Sequence, residues 1–380
     1  MTEEQRRFWG ATATIAGTIF GVGVFALPHT IARSGPAAGL FWFVILGSAI
    51  LFLHLLYGSI QINGNSHRRL IGLVENNLGE KFKFIPFIST IIGTSGALLV
   101  YLIVGGKFTS LFLEGIIDIS PEKAAIIIWA ILSTMVLLGI RSVASFEILA
   151  SIAMFLGLGV LVAALLDKGA LAHIPQGSPE NSFLPYGVIL FSLYGANAIP
   201  KAAEILTSKK NKLRQAILLG STLPLISYIL FTFAVLSLSG ENTSTEAITG
   251  LILLLNPWVI KLALAIGFLA IATSFVSIGL YLADTLNYDL KFQKISAGFT
   301  AVFIPLLLFL IGIRSFNTVI GFVGSLLGGV DGILIAAIFL KLSKRSEFES
   351  LIRVNKLAPL ILITIFLFGI AGEAIVFLTH

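Results

Sequence analysis

The chain contains no cysteine, which excludes disulfides, thiolate catalysis and zinc–sulfur sites. It is also poor in charge. Asp, Glu, Lys and Arg supply 12% of its 380 residues, about half the share of a soluble protein. No polar stretch is long enough to form a soluble domain of its own. Enzyme signatures are missing too: there is no Gly-x-Ser-x-Gly, no His-Glu-x-x-His and no Walker loop. Neither an enzyme nor a nucleotide-driven pump is expected, and no cofactor, nucleotide or nucleic-acid partner is called for. What fills the chain is apolar. Hydrophobic residues make up 57% and mean hydropathy is +0.99, so the sequence reads as an all-α, multi-pass protein of the lipid bilayer. The net charge of +6 comes from Lys and Arg in loops.

Apolar runs long enough to cross a bilayer predict eleven spans, about 8–33, 38–62, 84–113, 122–140, 146–166, 182–206, 211–238, 257–286, 294–313, 316–340 and 356–378. Gly, Pro, Asn or charge separates them, as in Ser34-Gly35-Pro36 and Gly177-Ser178-Pro179. Met1–Gln5 is polar and leads into a full-length span without a small-residue cleavage site, so span 1 is expected to be retained rather than cleaved as a signal peptide. Trp9, Trp42 and Trp258 fall near span ends, where indole rings favour the interface. With the N-terminus in the cytoplasm, 19 of the 25 Lys and Arg fall in cytoplasmic segments, among them Arg68, Arg69, Arg141, Lys201, Lys209 and Arg345. That asymmetry orients the chain in the cell (inner or plasma) membrane. Two loops look helical without spanning. Ser66–Leu78 on the inner side mixes Arg68, Arg69 and Glu75 with apolar residues. Thr243–Leu255 on the outer side opens with Thr243-Ser244-Thr245-Glu246, which fits a capping box. Both read as surface amphipathic helices, and the outer one also as a gate.

Span 1 is interrupted. Ala16-Gly17-Thr18-Ile19-Phe20-Gly21-Val22-Gly23-Val24-Phe25-Ala26-Leu27-Pro28 carries three glycines and a proline, which let the backbone leave the helix. Backbone groups freed inside hydrocarbon must be satisfied by buried surroundings, water or a polar ligand. Small residues that let helices pack closely are the competing reading. Span 6 is interrupted in the same way at Phe191-Ser192-Leu193-Tyr194-Gly195-Ala196-Asn197-Ala198-Ile199-Pro200. It lies five spans later, in the corresponding place of a second group of five. Paired interruptions of this kind point to a transporter site, and an odd number of spans per group requires the halves to be inverted. A weaker echo links Thr94-Ser95 and Tyr101 in span 3 with Thr273-Ser274 and Tyr281 in span 8.

At this point the chain resembles a known group. Ala16-Gly17-Thr18-x-x-Gly21-x-Gly23-x-Phe25-x-Leu27-Pro28 is similar to the first-helix signature of the hydroxy and aromatic amino acid permeases. These belong to the amino acid/auxin permease family within the amino acid–polyamine–organocation superfamily. Leu184-Pro185 through Ile199-Pro200 resembles that group's sixth helix, Ala97–Phe108 its third, and Thr273 through Asp284 its eighth. The resemblance implies two inverted five-helix repeats, about 8–166 and 182–340, with an additional helix at about 356–378. It also implies alternating access and cation-coupled uptake of an amino acid. Lys107 and Lys201 stand where relatives often carry an acidic residue. A nutrient receptor with a transporter fold, an exchanger or facilitator, and a passive channel are the alternative functions.

The two breaks supply the candidate substrate site. The helix N-terminus starting near Gly21-Val22-Gly23 suits a carboxylate, and unwound carbonyls near Gly17, Thr18 and Ile19 and near Phe191, Ser192 and Tyr194 suit an ammonium. Asn197 lies in the second break, and Tyr101, Phe191, Tyr194 and Ser277 are candidate walls. The coupling ion is sodium or a proton. By resemblance, the hydroxyls of Thr273 and Ser274 with the carbonyls of Gly17, Phe20 and Ala270 form a five-oxygen sodium site. The alternative is that both hydroxyls bond back to their own helix. For a proton the candidates are His54, Asp331 and Glu373, ionisable groups inside spans. His54 also reads as a satisfied packing histidine and Asp331 as a structural partner. Glu147, Glu204 and Asp284 near inner ends are expected to pair with loop cations. The charge pattern predicts that a cysteine introduced at Ser178 reacts with an impermeant thiol reagent from outside and one at Ser208 does not. The reverse labelling would overturn the orientation.

Overall fold

The computed structural model describes residues 2–64, 69–139, 144–170, 173–207 and 210–379. Arg68, Arg141, Lys209, the start of the Ser66–Leu78 loop, the Glu147 side chain and the Ser208 labelling position fall outside the described residues. Among the described residues all regular structure is helical. The helices are α1 (Glu3–Ile19), α2 (Gly23–Ser34), α3 (Pro36–Ile62), α4 (Leu70–Leu78), α5 (Phe84–Leu113), α6 (Pro121–Leu137), α7 (Ala144–Lys168), α8 (Pro185–Leu193), α9 (Ile199–Ile205), α10 (Lys210–Ser239), α11 (Pro257–Tyr288), α12 (Lys294–Leu310), α13 (Phe316–Gly324), α14 (Asp331–Leu342) and α15 (Leu357–Thr379).

The spans map onto these elements. Span 1 is α1 plus α2, bent by 46° at the glycine-rich break. Span 6 is α8 plus α9, joined through Tyr194-Gly195 and a 3₁₀ turn at Ala196–Ala198. Eight helical stretches are long and apolar enough to cross a membrane, and the bent pair makes nine. The fourth and ninth expected spans, α6 and α12, are 17 residues each. At about 1.5 Å per residue they reach roughly 25 Å, at the short end for a spanning helix. The count of eleven rests on them.

Packing repeats with a period of five spans. α1 packs on α7 and α10, and α8 packs on α13 and α3. The pair α5·α6 recurs as α11·α12, α7·α11 as α13·α5, and α7·α10 as α14·α3. At the centre α1 lies against α9 and α2 against α8, so the two broken spans cross with their breaks side by side. α15 stays outside this scheme, against α14 and the π-helical turn Ser325–Val330 that joins α13 to α14.

Local chemistry sets the ends. Thr2 caps α1 in a reciprocal capping box with Gln5. Gly35 at φ +89° turns the chain between α2 and α3, with Pro36 at the first helical position. α4 confirms the helical reading of the inner loop. Its N-terminus is served from another element: Asp289, at the end of α11, accepts from the N–H groups of Arg69 (3.3 Å) and Gly72 (3.0 Å).

Two expectations are corrected. Thr243–Leu255 does not form an amphipathic α-helix, only short 3₁₀ pieces such as Thr249–Leu251. The Thr243 hydroxyl donates instead to Gly240 O at 2.6 Å, closing the end of α10, and Glu246 is drawn to Lys107 at 2.8 Å. The segment is nonetheless anchored, with Ala247, Ile248 and Leu251 fully covered while Leu253 stands out exposed. Trp42 is not an interfacial anchor. It is buried against Phe183 and Tyr186, with its indole N–H donating to Ser182 O at 2.8 Å.

Candidate functional site

The break in span 1 runs from Phe20 to Val22. Its backbone is held by a side chain that the sequence does not advertise. The Tyr228 hydroxyl, from α10, donates to Ile19 O at 2.5 Å and accepts from Gly21 N–H at 3.2 Å. The break in span 6 is held in a parallel way. Gly195 N–H donates to His54 Nε2 at 3.2 Å, and His54 Nδ1 contacts Ser221 Oγ at 2.9 Å. An acceptor at Nε2 leaves the proton on Nδ1, so His54 is a neutral imidazole donating to Ser221. That arrangement supports the packing reading of His54 over a proton-carrying one, because both ring nitrogens are committed to structure.

Between the breaks lies a cavity with about 380 Å³ of space between atoms. It is lined by Thr18, Gly21, Gly23, Tyr101, Phe191, Ser192, Tyr194 and Asn197 from the expected set, by Ile19, whose carbonyl was expected at the break, and by Ala97, Ile278 and Leu327, which were not anticipated. These last three are small or apolar residues, at which no sequence signal separates lining from packing. Three expected residues fall elsewhere. Val22 is buried in the core. Gly17 points its carbonyl at Ser274 Oγ, 3.4 Å away. Ser277 lines a second space, of about 670 Å³, which lies toward Arg69, Lys201 and Asp284 and shares Thr18, Asn197 and Ile278 with the first.

The cavity's chemistry is backbone and ring. The C-terminal ends of α1 and α8 and the N-terminus of α2 meet at the cavity, through Ile19, Phe191, Ser192 and Gly23, and helix ends carry backbone carbonyls or N–H groups without partners in their own helix. The Thr18 and Ser192 hydroxyls bond back to Thr14 O (2.8 Å) and Val188 O (2.7 Å). Among the described residues the Asn197 side-chain amide makes no hydrogen bond, and it is a polar group on the cavity wall. Tyr101, Phe191 and Tyr194 form aromatic walls. Among the described residues no Lys, Arg, Asp or Glu lines it. Glycine is required at two points. A Cβ on Gly23 would lie 2.8 Å from Ser192 Cα, and one on Gly21 would lie 3.1 Å from the Tyr101 hydroxyl. Gly23 thus serves the crossing of α2 and α8 as well as the N–H cluster.

Of the oxygens expected at a sodium site, Ser274 Oγ donates to Gly17 O at 3.4 Å, and Thr273 Oγ1 donates to Leu269 O (3.0 Å) and to Ala270 O (3.1 Å), itself one of the five; each hydroxyl oxygen keeps lone pairs that a cation can use. Asp331 is fully buried; its Oδ1 accepts from Ser89 (2.5 Å) and its Oδ2 from the Tyr194 hydroxyl (3.0 Å). Glu373 reaches instead to the close crossing of α8 and α13 at Gly187 and Gly321.

Ion pairs lie at both ends of this region. At the end that holds α4, buried Arg69 joins Glu204 of α9 (3.2 Å) and Asp284 of α11 (3.1 Å). This matches the pairing expected for both carboxylates. Burial works against the guanidinium charge, but Asp284 and Glu204 outweigh it and hold its pKa above the ordinary value. On the opposite side the Lys107–Glu246 pair and a hydrogen bond between His29 Nδ1 and Thr243 O, 2.8 Å, pin the covering segment. Lys201, the second departure from the group's pattern, sits 3.9 Å from Glu204.

The sequence profile of the Tryptophan/tyrosine permease family matches residues 4–376. The chain belongs to that family, and it is a membrane transport protein rather than an enzyme. Among curated relatives it is 25% identical over 358 residues to "Tyrosine-specific transport system 1" of Haemophilus influenzae, covering 83% of this chain and 84% of that one. It is 26% identical over 394 residues to the "Low affinity tryptophan permease" of Escherichia coli (strain K12), covering 92% and 91%. Its fold is similar to the crystal structure of MhsT in complex with L-phenylalanine, with a TM-score of 0.70, 15% identity, and 95% of this chain and 98% of that one covered. A manganese transporter from Eremococcus coleocola is similar at a TM-score of 0.69 and 12% identity, covering 97% and 87%.

Tyr228→Phe keeps the ring beside Phe20 but removes the hydroxyl that satisfies Gly21 N–H and Ile19 O. It should lower stability by about 1–3 kcal/mol, the cost of stranding buried polar groups, seen as a lower melting temperature in detergent. An unchanged melt would show that the break does not depend on it.

Proposed function

We propose that the protein is a secondary active transporter that carries a neutral aromatic amino acid, coupled to a cation, by alternating access. The observation that carries this reading is the cavity between the two breaks. Helix-end N–H groups there suit a carboxylate, helix-end carbonyls suit an ammonium, and Tyr101, Phe191 and Tyr194 suit a ring, with no charged side chain to demand a charged substrate. The relatives named for tyrosine and tryptophan, and the phenylalanine bound in MhsT, support the substrate class. The repeats at about 8–166 and 182–340 are the parts proposed to move, with 356–378 outside them and the N-terminus in the cytoplasm. The Arg69 cluster acts as the inner gate and the Lys107–Glu246 segment as the outer one. The coupling ion is sodium or a proton.

Gly21→Leu puts a side chain against Tyr101 and into the N–H cluster. Binding of labelled tryptophan or tyrosine to purified protein should fall below detection while the variant still inserts and elutes as a folded species. Asn197→Leu, which removes the side-chain amide, should weaken binding about tenfold or more, within the 1–3 kcal/mol of a stranded polar partner. Wild-type affinity in both would refute the site. A receptor would bind without moving substrate, and a facilitator would move it only downhill. Accumulation in proteoliposomes above the outside concentration separates both from a symporter.

The inner gate makes its own prediction. Arg69→Ala should free α9 and α11 from α4 and favour the inward-open state. A cysteine at Ser277, in the vestibule, should then react faster with a thiol reagent applied from the inner side. Equal rates with and without Arg69 would remove the cluster from gating.

A further inference from the structure

Three ionisable side chains lie within the membrane domain away from its ends, and their surroundings differ. Both nitrogens of His54 are occupied in holding the second break. Glu373 lies on α15, outside the repeated packing, against the α8–α13 crossing. Asp331 alone touches a residue of the substrate cavity, through its hydrogen bond from Tyr194.

The elements around Asp331 give it no cation. α5 contributes Ser89, the second break contributes Tyr194, and Tyr57 of α3 and Tyr281 of α11 lie close enough to feel its charge. His54, also on α3, faces Gly195, and Glu373 of α15 faces Gly187 and Gly321. Glu75 of α4 pairs with Lys83. Among the described residues no Lys, Arg or His pairs with Asp331. An unpaired carboxylate in a membrane interior is costly, and protonation removes that cost. On α5, Thr90, the residue after Ser89, and Thr94 one turn on are buried with no hydrogen-bond partner among the described residues, whereas Thr12, Thr30 and Thr285 bond back to their own helices. Thr90 and Thr94 share a face of α5 with Ala97 and Tyr101 of the cavity.

We propose that Asp331 is the group whose protonation is tied to substrate binding, and that Tyr194 transmits it. The inference rests on the transport reading above. With the carboxylate ionised, the Tyr194 O–H donates to Oδ2 and is held away from the cavity. When a proton from water binds Oδ2, the acid O–H donates to the Tyr194 oxygen instead. The phenol hydrogen is then free to donate into the cavity, to the substrate's carboxylate or ring. No proton passes to the substrate. The one taken up on Asp331 from one side leaves to water on the other, and the local charge changes from −1 to 0 and back. A substrate that engages Tyr194 favours the protonated acid, and the protonated acid favours the substrate by the same factor.

The test is binding of labelled tryptophan or tyrosine to purified wild-type, Asp331→Asn and Tyr194→Phe protein over a pH series, in sodium-free buffer. Wild-type affinity should fall as pH rises, by about 5- to 150-fold, the span usual for such couplings. Asp331→Asn, a permanent mimic of the protonated acid, should bind with an affinity that no longer depends on pH. In proteoliposomes it should exchange substrate but fail to accumulate it under an imposed pH gradient. Tyr194→Phe keeps the ring and loses only the link, so its pH profile should also flatten, which keeps the test decisive should Asp331→Asn fold poorly. Wild-type protein that binds neither amino acid would refute the transport reading. Wild-type binding that is indifferent to pH, or an Asp331→Asn or Tyr194→Phe profile matching wild type, would overturn the coupling role alone.

Discussion

A broken helix in a membrane has backbone groups that must find partners, because hydrocarbon offers none. That constraint organises this protein. The breaks at Phe20–Val22 and Tyr194–Ala198 lie side by side, since α1 packs on α9 and α2 on α8. Each is then served from outside its own span, by Tyr228 in one case and His54 in the other. With part of each break satisfied by fixed side chains, the remaining N–H and C=O groups can face the cavity without unravelling the helices around it. Rigidity at the breaks and chemistry in the cavity have one origin.

Much of this was legible in the sequence. Gly17, Gly21, Gly23 and Pro28 in span 1, with Gly195 and Pro200 in span 6, marked both interruptions because glycine and proline act on the local backbone. The five-span offset between them was visible for the same reason, and the packing repeats with that period. Eight residues chosen from the sequence line one cavity. Binding by them is a matter for experiment.

What stayed hidden was long-range. Tyr228 reads as any aromatic residue in an apolar helix, and its role needs a partner 209 residues away in the chain. Ala97, Ile278 and Leu327 line the cavity only because of how α5, α11 and the π-helical turn are rotated. The Thr243–Glu246 capping-box pattern misled because both of its side chains had stronger calls on them, Gly240 O for Thr243 and Lys107 for Glu246. The Thr273–Ser274 pair shows the same limit. Whether a hydroxyl faces its own helix or its neighbour is a choice of rotamer, and here adjacent residues choose differently.

One feature of α10 joins the two halves mechanically. Ser221, which holds the ring of His54, and Tyr228, which holds Ile19 and Gly21, are seven residues apart, two turns on one face. They stand about 10 Å apart along the axis at 1.5 Å per residue. One helix, with Pro224 between the two contacts, therefore touches the break of each repeat, directly in the first and through an imidazole in the second. Under the alternating-access proposal, a slide or roll of α10 reaches both breaks together, which would gear the two repeats to one another.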